Sequence, residues 1–395
     1  MKIITDSGAL AALCDRLATS AFITVDTEFH REKTYYSKLC LIQVAGEDEA
    51  AIIDPLADGL DLGPFLDLMA DGAVLKVFHA ARQDIEIFYQ MTGRVPAPLF
   101  DTQVAGMVCG FGDSVSYEKL VNRIVGASLD KASRFTDWAR RPLSARQLEY
   151  AIGDVTHLRQ IYDHMAEALR KTGREEWLAE EMAILTTPRT YALEPDEAWR
   201  RLKIRNNDGR FLERLRRLAS LREKMAQNND VPRNRILRDE AILEIAAHPP
   251  ASHDDLLKLR GLGKGAANGS LGKGILRAIA EAAKTPDSAL PALTPNKRPR
   301  HVNPAILEML KVLLKVKCEQ DGVAQKLVAS VADLERLAVN DKADIRALGG
   351  WRKTLFGDDA LALKAGKLAL AIEGGKIALI PLGAEDRKNT PWGRS

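Results

Sequence analysis

The stretch that decides the fold of this chain is AFITVDTEF, at residues 21–29. Its apolar, β-branched start predicts a buried strand, and its end carries Asp26 and Glu28. Side chains alternate between the two faces of a strand, so these acids point to the same side. Two like charges there are costly unless a cation lies between them, and oxygen ligands favour Mg²⁺ or Mn²⁺. The alternative is that the strand simply ends here and both acids are solvated.

The distribution of charge indicates a polyanionic partner. The chain has 395 residues, of which 28% are charged, and a net charge of +3. Residues 1–199 carry 20 basic and 31 acidic side chains, residues 200–284 carry 19 and 10, and residues 285–395 carry 18 and 13. An acidic front that can hold metal, followed by basic segments, suits an enzyme that acts on a polyanion. Surface charge that varies for solubility alone is the alternative.

Length and cysteine usage indicate a cytoplasmic protein of two or three domains. No apolar stretch approaches the ~20 residues that cross a bilayer, and the start MKIITD lacks a signal-peptide pattern. Cys14, Cys40, Cys109 and Cys318 are widely scattered, which predicts reduced thiols instead of disulfides or zinc ligands. We expect no membrane contact, and no obligate protein partner is evident.

The first half of the chain alternates between strand and helix patterns. Strands are predicted at residues 21–28, 39–44, 50–54 and 74–78, and helices at residues 6–18, 62–70, 80–91 and 143–169. The turn at residues 46–49 suggests that the first three strands are antiparallel neighbours. This order predicts an α/β layer fold with a mixed sheet.

The second half is predicted to be helical. One boundary falls near residues 186–195, and a linker with four prolines spans residues 285–299. Helical blocks run from residue 200 to this linker and from about residue 304 to 380, and residues 384–395 form a polar tail. The chain therefore divides into one α/β domain and two small helical domains.

Two later segments supply partners for the acids of the first strand. The segment from His79 to Asp84 leaves a strand and opens a helix, so Asp84 lies near the first turn. Tyr150 and Asp154 stand at i and i+4 on one helix face. A stripe of Leu148, Ile152, Val155 and Tyr162 would form that helix's core side, leaving this edge partly free. Taken singly, each residue has another interpretation. Asp84 could stabilise the helix dipole, Tyr150 could be a core tyrosine and Asp154 a solvated acid.

Taken together, the order D-x-E, H-x-x-x-x-D and Y-x-x-x-D resembles the DEDD superfamily of 3′→5′ exonucleases, in the subgroup with a catalytic tyrosine. Within it, the chain resembles the bacterial ribonuclease D family over about residues 1–185. Further matching stretches are DTEF at 26–29, YSKLCLIQ at 36–43, VFHAA at 77–81, FDT at 100–102 and TDWARRPL at 136–143. The resemblance implies a ribonuclease H-like mixed sheet.

The resemblance also implies a two-metal site. Asp26, Glu28, Asp84 and Asp154 would hold two divalent ions, Mg²⁺ or Mn²⁺, with Asp26 bridging both. Glu28 and Asp154 would complete the coordination of the ion that carries the attacking water, and Asp84 would coordinate the other ion. Tyr150 would orient the water. Two such ions stabilise the attacking and leaving oxygens of an in-line displacement at phosphorus. The product would be a 5′-mononucleotide.

Four further residues around these motifs have two interpretations each. His79 contacts the substrate, or is satisfied by local hydrogen bonds. Phe29 stacks on the terminal base, or packs in the core. Trp138 and Arg141 line the substrate groove, or anchor the turn before the long helix.

The helical blocks resemble a known module as well. Residues 208–285 are similar to the HRDC domain, a five-helix bundle that often binds nucleic acid. Its turn at Gly261, Gly263 and Lys264 can present backbone N–H groups to a phosphate, or only satisfies backbone geometry. Five arginines on the block's first helix form a basic flank or a solvated face: Arg210, Arg214, Arg216, Arg217 and Arg222. Residues 303–380 look like a diverged second copy that lacks the glycine turn, so its RNA binding is open.

The function that follows is a metal-dependent 3′→5′ exoribonuclease acting on single-stranded RNA 3′ ends, with tRNA precursors among its substrates by resemblance. Single strands fit because a terminal phosphodiester must reach a recessed metal pair. A DNA-directed exonuclease of the same chemistry is one alternative, since no residue named here reads a 2′-hydroxyl. A non-catalytic RNA-binding scaffold is the other, although it would have no need for mutually repelling acids.

Overall fold

A computed structural model describes residues 2–129, 136–259, 261–293 and 301–383 of the chain. The predicted tail 384–395, residues 294–299 of the predicted linker and Arg260 beside the glycine turn lie outside the described residues. No helix in the described ranges combines the length and the apolar character that crossing a membrane requires.

The N-terminal domain is built on a six-stranded mixed sheet with the spatial order β1-β4-β3-β2-β5-β6. Strand β2 pairs antiparallel with β3 and parallel with β5, while β3 pairs antiparallel with β4. Strands β1 and β6 join the two edges in parallel with β4 and β5. The strands are β1 (Lys2–Ile4), β2 (Phe22–His30), β3 (Lys38–Ala45), β4 (Ala50–Ile53), β5 (Leu75–Phe78) and β6 (Leu99–Asp101). The predicted mixed sheet is confirmed, although the two short edge strands were not predicted.

Helices cover this sheet and complete the N-terminal domain. They are α1 (Ser7–Leu17), α2 (Gly63–Ala70), α3 (Arg82–Thr92), α4 (Thr102–Val108), α5 (Tyr117–Leu120), α6 (Ala145–Thr172) and α7 (Glu175–Leu185). Helix α6 starts with a capping box in which Ser144 and Gln147 satisfy each other's backbone N–H groups. The cap fixes where the helix begins, and with it the positions of the residues on its faces.

The buried face of α6 differs from the prediction. Ala151, Asp154 and Val155 are buried, followed by Leu158 and Ile161, whereas the predicted stripe residues Leu148 and Ile152 are only half-buried. The observed buried face of α6 is therefore rotated by about one residue from the predicted stripe. The prediction placed only apolar side chains inward and left Asp154 at the edge. In the structure this helix carries an acid into the protein, where other acids meet it.

The middle bundle consists of α8 (Gly209–Asn228), α9 (Arg233–Ile236), α10 (Asp239–Ala247), α11 (His253–Lys258), α12 (Lys264–Asn268) and α13 (Ser270–Ala283). Its apolar core is separate from that of the N-terminal domain and includes Trp199, which is only 1% exposed. On α8, Arg216 and Arg217 both bind Glu213, and Arg214 donates to the carbonyl of Ala246. Arg214 and Arg217 therefore tie α8 to neighbouring helices, since Arg217 also binds Glu281 of α13, whereas Arg216 pairs within its own helix.

The C-terminal region begins as predicted with helices and then departs from the prediction. It contains α14 (Pro304–Asp321), α15 (Gln325–Val328), α16 (Val331–Val339), α17 (Gly350–Arg352) and α18 (Asp358–Lys364), followed by β7 (Leu368–Glu373) and β8 (Lys376–Pro381). The expectation of helix up to about residue 380 is therefore wrong for its last part. Gly374 and Gly375 both have positive φ, the geometry of a tight two-residue hairpin turn, and they reverse the chain between the two strands.

The C-terminal region shares one core with the N-terminal domain. A single apolar cluster contains Ile23 of β2 together with Leu310 of α14 and Phe356. On the surface, Trp177 of α7 stacks on Trp351 with ring centroids 4.2 Å apart and planes 7° apart. These two parts of the chain are thus joined by packing, whereas the middle bundle keeps a core of its own.

Candidate active site

Three carboxylates from two elements meet at one point. Asp26 and Glu28 lie on the same side of β2, and Asp154 reaches them from α6, so that one carboxylate oxygen of each lies within 4.8 Å of the others. The hydroxyl of Thr24 donates to the carbonyl of Val155 at 2.8 Å, which ties the strand to the helix beside these acids. The predicted pairing of strand and helix acids is therefore what the structure contains.

Asp84 approaches the same place from a third element but is not part of this group of three. It lies in the first turn of α3, directly after β5, and is 6% exposed. The hydroxyl of Thr27 donates a short hydrogen bond to its Oδ1, which fixes the carboxylate. Asp84 and Asp26 repel each other, so the two acids are electrostatic neighbours.

Asp26, Asp84 and Asp154 line one cavity of about 460 Å³, and Glu28 lies beside Asp26 and Asp154 without lining it. Tyr150 lines it too, one helical turn before Asp154, with its ring 6.0 Å from that of Trp138. The other side chains around the cavity include Thr27, Phe29, His79, Gln83, Gln103, Ser116, Tyr117 and Leu158. The cavity is therefore lined by carboxylates together with aromatic, polar and apolar side chains.

The electrostatics of the acids fit a cation. Burial raises the pKa of Asp26 well above its usual value, and the neighbouring charge of Asp154 raises it further. Burial and then the charge of Asp26 raise the pKa of Asp84 well above its usual value. Carboxylates that repel one another in a half-buried place are stabilised by a divalent ion, and an all-oxygen donor set is what Mg²⁺ and Mn²⁺ prefer.

Comparison with known proteins decides the family. A family model described as 3′-5′ exonuclease matches residues 1–170, and one described as HRDC domain matches residues 211–279. Ribonuclease D of Granulibacter bethesdensis is 50% identical over 382 residues, which is 96% of this chain and 97% of that protein. Ribonuclease D of a Jannaschia species is 50% identical over 370 residues, covering 93% and 96% of the two chains.

The chain belongs to the ribonuclease D family.

The crystal structure of Escherichia coli RNase D agrees with this assignment. It matches with a TM-score of 0.78 at 29% identity, over 92% of this chain and 98% of that chain. This ribonuclease D family member is thus an enzyme, a nuclease with a mixed α/β 3′→5′ exonuclease domain and an HRDC domain after it. Exonucleases of this type depend on divalent metal ions, and Asp26, Glu28 and Asp154 offer a site for one.

Two substrate-contact predictions fall at the cavity of this family member. His79 and Phe29 both line it, and Phe29 also packs against the apolar core, so its two interpretations are not exclusive. Nδ1 of His79 lies 2.9 Å from the hydroxyl of Thr102. Burial lowers the pKa of His79 to about 4, so the ring is neutral at physiological pH. Any contact with substrate is therefore a neutral hydrogen bond and not an ion pair.

Sequence reasoning missed Tyr117. Its hydroxyl donates to the backbone carbonyls of Asp154 at 2.7 Å and Gly153 at 3.1 Å, and its ring lies 5.4 Å from that of His79. Burial, followed by the charges of Asp154 and Asp26, raises the pKa of this phenol far above its usual value. Tyr117 thus stays protonated and fixes the backbone that carries a catalytic-site acid. No sequence motif marks Tyr117, because it is distant along the chain from the backbone that it contacts in the folded protein.

Arg141 and Trp138 do not line the cavity. The guanidinium of Arg141 binds both carboxylate oxygens of Asp54 at 2.7 Å and the carbonyl of Cys40. Trp138 is 2% exposed, so both residues anchor the turn before α6.

The glycine turn belongs to the middle bundle and is not part of the cavity wall. Gly261 has a φ of +87°, which favours glycine, and Gly263 directly precedes α12, which starts at Lys264. That helix has only five residues. The backbone-geometry interpretation accounts for Gly261, and a phosphate contact at the turn stays a prediction.

Proposed function

We propose that this ribonuclease D family member is a 3′→5′ exoribonuclease that removes 5′-mononucleotides from single-stranded RNA 3′ ends with two divalent ions, Mg²⁺ or Mn²⁺. The observation that carries the proposal is the meeting of Asp26, Glu28 and Asp154 within 4.8 Å beside Asp84. Acids gathered in this way repel one another, and a bound cation would stabilise them. Bound ions would supply a nucleophile near neutral pH and stabilise charge on the attacking and leaving oxygens.

The side chains of the site then have distinct tasks. Asp26, Glu28, Asp84 and Asp154 would hold the divalent ions. The phenol of Tyr150 would orient the attacking water. Phe29 and His79 line the same cavity and are placed to contact the terminal nucleotide.

Supporting groups keep these acids in place. The hydroxyl of Thr27 holds the carboxylate of Asp84, and the hydroxyl of Tyr117 holds the backbone of Asp154. Precise placement matters because small displacements of catalytic groups lower rates steeply.

RNA is the proposed substrate because the relatives named above are ribonucleases D. The E. coli protein is described as an exoribonuclease involved in structured RNA processing. We include tRNA precursors among the substrates and place the enzyme in the cytoplasm. A recessed cavity of about 460 Å³ favours a single-stranded end, whose base is free to unstack.

We divide the chain into an exonuclease domain at 1–185, an HRDC domain at 208–285 and a diverged HRDC-like domain at 303–380. The last of these ends in the hairpin β7–β8 and shares its apolar core with the exonuclease domain. The HRDC domain adds affinity for RNA through positively charged groups, so binding weakens as salt rises. The Gly261–Lys264 turn is one candidate for such a contact.

The test is a 3′-end-labelled single-stranded RNA incubated with Mg²⁺, Mn²⁺ or EDTA. Immediate release of labelled mononucleotide that EDTA stops is the expected result. Asp26→Asn removes it, whereas Asp163→Asn, which replaces an exposed acid of the long helix α6, leaves it unchanged. A matched DNA oligomer separates the ribonuclease from a DNA-directed exonuclease. RNA that is bound in EDTA and never shortened with metal would instead indicate a scaffold.

A further inference from the structure

A second cavity, of about 350 Å³, lies between the N-terminal domain and the middle bundle. We call it the basic cleft and define it by the four arginines that line it: Arg31, Arg201, Arg222 and Arg233. Arg31 follows strand β2 of the N-terminal domain, and the other three belong to the middle bundle or the segment leading into it. The cleft therefore exists only where these two parts of the chain meet.

Specific polar contacts build this junction. The hydroxyl of Tyr35 donates to Glu223, which is 1% exposed and also binds Arg233 through two bonds of 2.6 Å. The carboxylate of Asp230 accepts from the backbone N–H groups of Tyr35 and Tyr36, at 2.9 and 3.0 Å. Buried bonds of this kind fix the geometry of the cleft.

The charges of the cleft leave capacity for an anion. The four arginines face two lining acids, Glu223 and Asp239, and Arg31 also pairs with Glu86 outside the lining. Arg201 is 53% exposed, and its nitrogen is still 3.7 Å from Glu223. Arg222 is only 4% exposed and already donates to the carbonyl of Leu237 and to the carboxylate of Asp239. The lining therefore holds more cationic than anionic side chains, and the exposed guanidinium of Arg201 is open to an anion.

The cleft lies next to the acidic site along the chain. Arg31 comes three residues after Glu28, which corresponds to about 10 Å of extended backbone. Its partner Glu86 comes two residues after Asp84 on α3. An RNA strand whose 3′ nucleotide occupies the active-site cavity can therefore pass the cleft with a nucleotide further upstream.

We propose that the basic cleft binds a backbone phosphate of the RNA upstream of the nucleotide being removed. The proposal rests on the exoribonuclease function given above and adds a substrate-positioning site to it. Arginine suits this role because its planar fork matches phosphate oxygens. Such contacts position a strand without reading its sequence, so the cleft serves any RNA long enough to reach it.

The test compares Arg201→Ala with Arg200→Ala. Arg200 is a matched control, because it is 51% exposed, pairs with Glu197, lies over Trp199 and does not line the cleft. Both changes are made in the Asp26→Asn background, and the Kd of a single-stranded RNA of about twenty nucleotides is measured over a range of salt. Arg201→Ala is expected to weaken binding about fivefold at low salt and to lower the salt slope by about 0.7. Arg200→Ala should change neither.

The proposal is overturned if both variants bind the RNA as tightly as Asp26→Asn alone, or if both lose affinity equally. The first result would show no contribution from Arg201, and the second would show only a general effect of charge. A dinucleotide, too short to reach the cleft, should be cleaved equally well by Arg201→Ala and the unaltered enzyme. If the unaltered enzyme cleaves no RNA with metal present, the proposed function fails. If it cleaves RNA and Arg201→Ala binds the long RNA normally, only the cleft proposal fails.

Discussion

Replacing Asp26 by Asn should stabilise the metal-free protein while it abolishes turnover. The carboxylates of Asp26 and Asp154 approach within 4.8 Å. Coulomb's law gives about 3.5 kcal/mol for two like charges at this distance with an effective dielectric constant of about 20. Asp26 is half-buried, and solvent screening together with partial protonation reduces this figure. We expect the free energy of unfolding in EDTA at pH 8 to rise by about 2 kcal/mol.

The pH dependence has a definite sign. The pKa of Asp26 is raised in the folded state, so the native protein keeps a proton that the unfolded chain has already released. The metal-free enzyme should therefore lose stability as pH rises above about 4, the ordinary pKa of an aspartate, and Asp26→Asn should lose less.

The assay is urea unfolding at pH 5.5 and pH 8, with EDTA or with Mg²⁺. Asp163→Asn serves as the control for removing an exposed acid of α6. With Mg²⁺ the order reverses, because the unaltered site gains more from the ion. Metal-free Asp26→Asn that is no more stable than the unaltered protein at pH 8 would refute the argument that these acids repel each other. Near-normal RNA cleavage by this variant in saturating Mn²⁺ would refute its catalytic role.

Three further outcomes can be measured. Tyr150→Phe should lower single-turnover cleavage about 10–100-fold, less than Asp26→Asn does, and an unchanged rate would exclude a water-orienting phenol. Trp351→Ala removes the stack on Trp177 and should lower the free energy of unfolding by about 2 kcal/mol in the calorimetric transition that the N-terminal and C-terminal parts share, whereas separate transitions for these two parts would contradict the shared core. Burial lowers the pKa of Lys76 to about 8 in the folded protein. The free energy of unfolding of the unaltered protein, relative to that of Lys76→Met, should therefore rise by about 2 kcal/mol between pH 7.5 and pH 10. An equal pH dependence of the two proteins would contradict this.

The active-site acids could be predicted from the sequence because their spacing follows local geometry. Asp26 and Glu28 share a face through the two-residue period of a strand, and Asp84 lies in the first turn after a strand. The phase of α6 could not be predicted in the same way. Periodicity assigns apolar residues to the buried side, but Asp154 is 6% exposed because the other acids lie there. A functional site breaks the rule on which the prediction rests.

The misjudged C-terminal hairpin has a different cause. Alanine and leucine in residues 368–373 favour helix, while the signal for a turn comes only from Gly374 and Gly375. The arginines of α8 show a third limit. Glu213 is fully buried between Arg216 and Arg217, and no sequence pattern reveals which charges find partners inside a fold.

The shared core has a consequence for how the chain is made. The N-terminal domain emerges from the ribosome first. Part of its apolar cluster, however, comes from Leu310, Leu313 and Phe356, which are synthesised in the last quarter of the chain. The middle bundle, with its own core, emerges between the two and can fold without waiting. The nascent nuclease must therefore hold an incomplete apolar surface until the C-terminal region has been made, and it acquires its full stability only then.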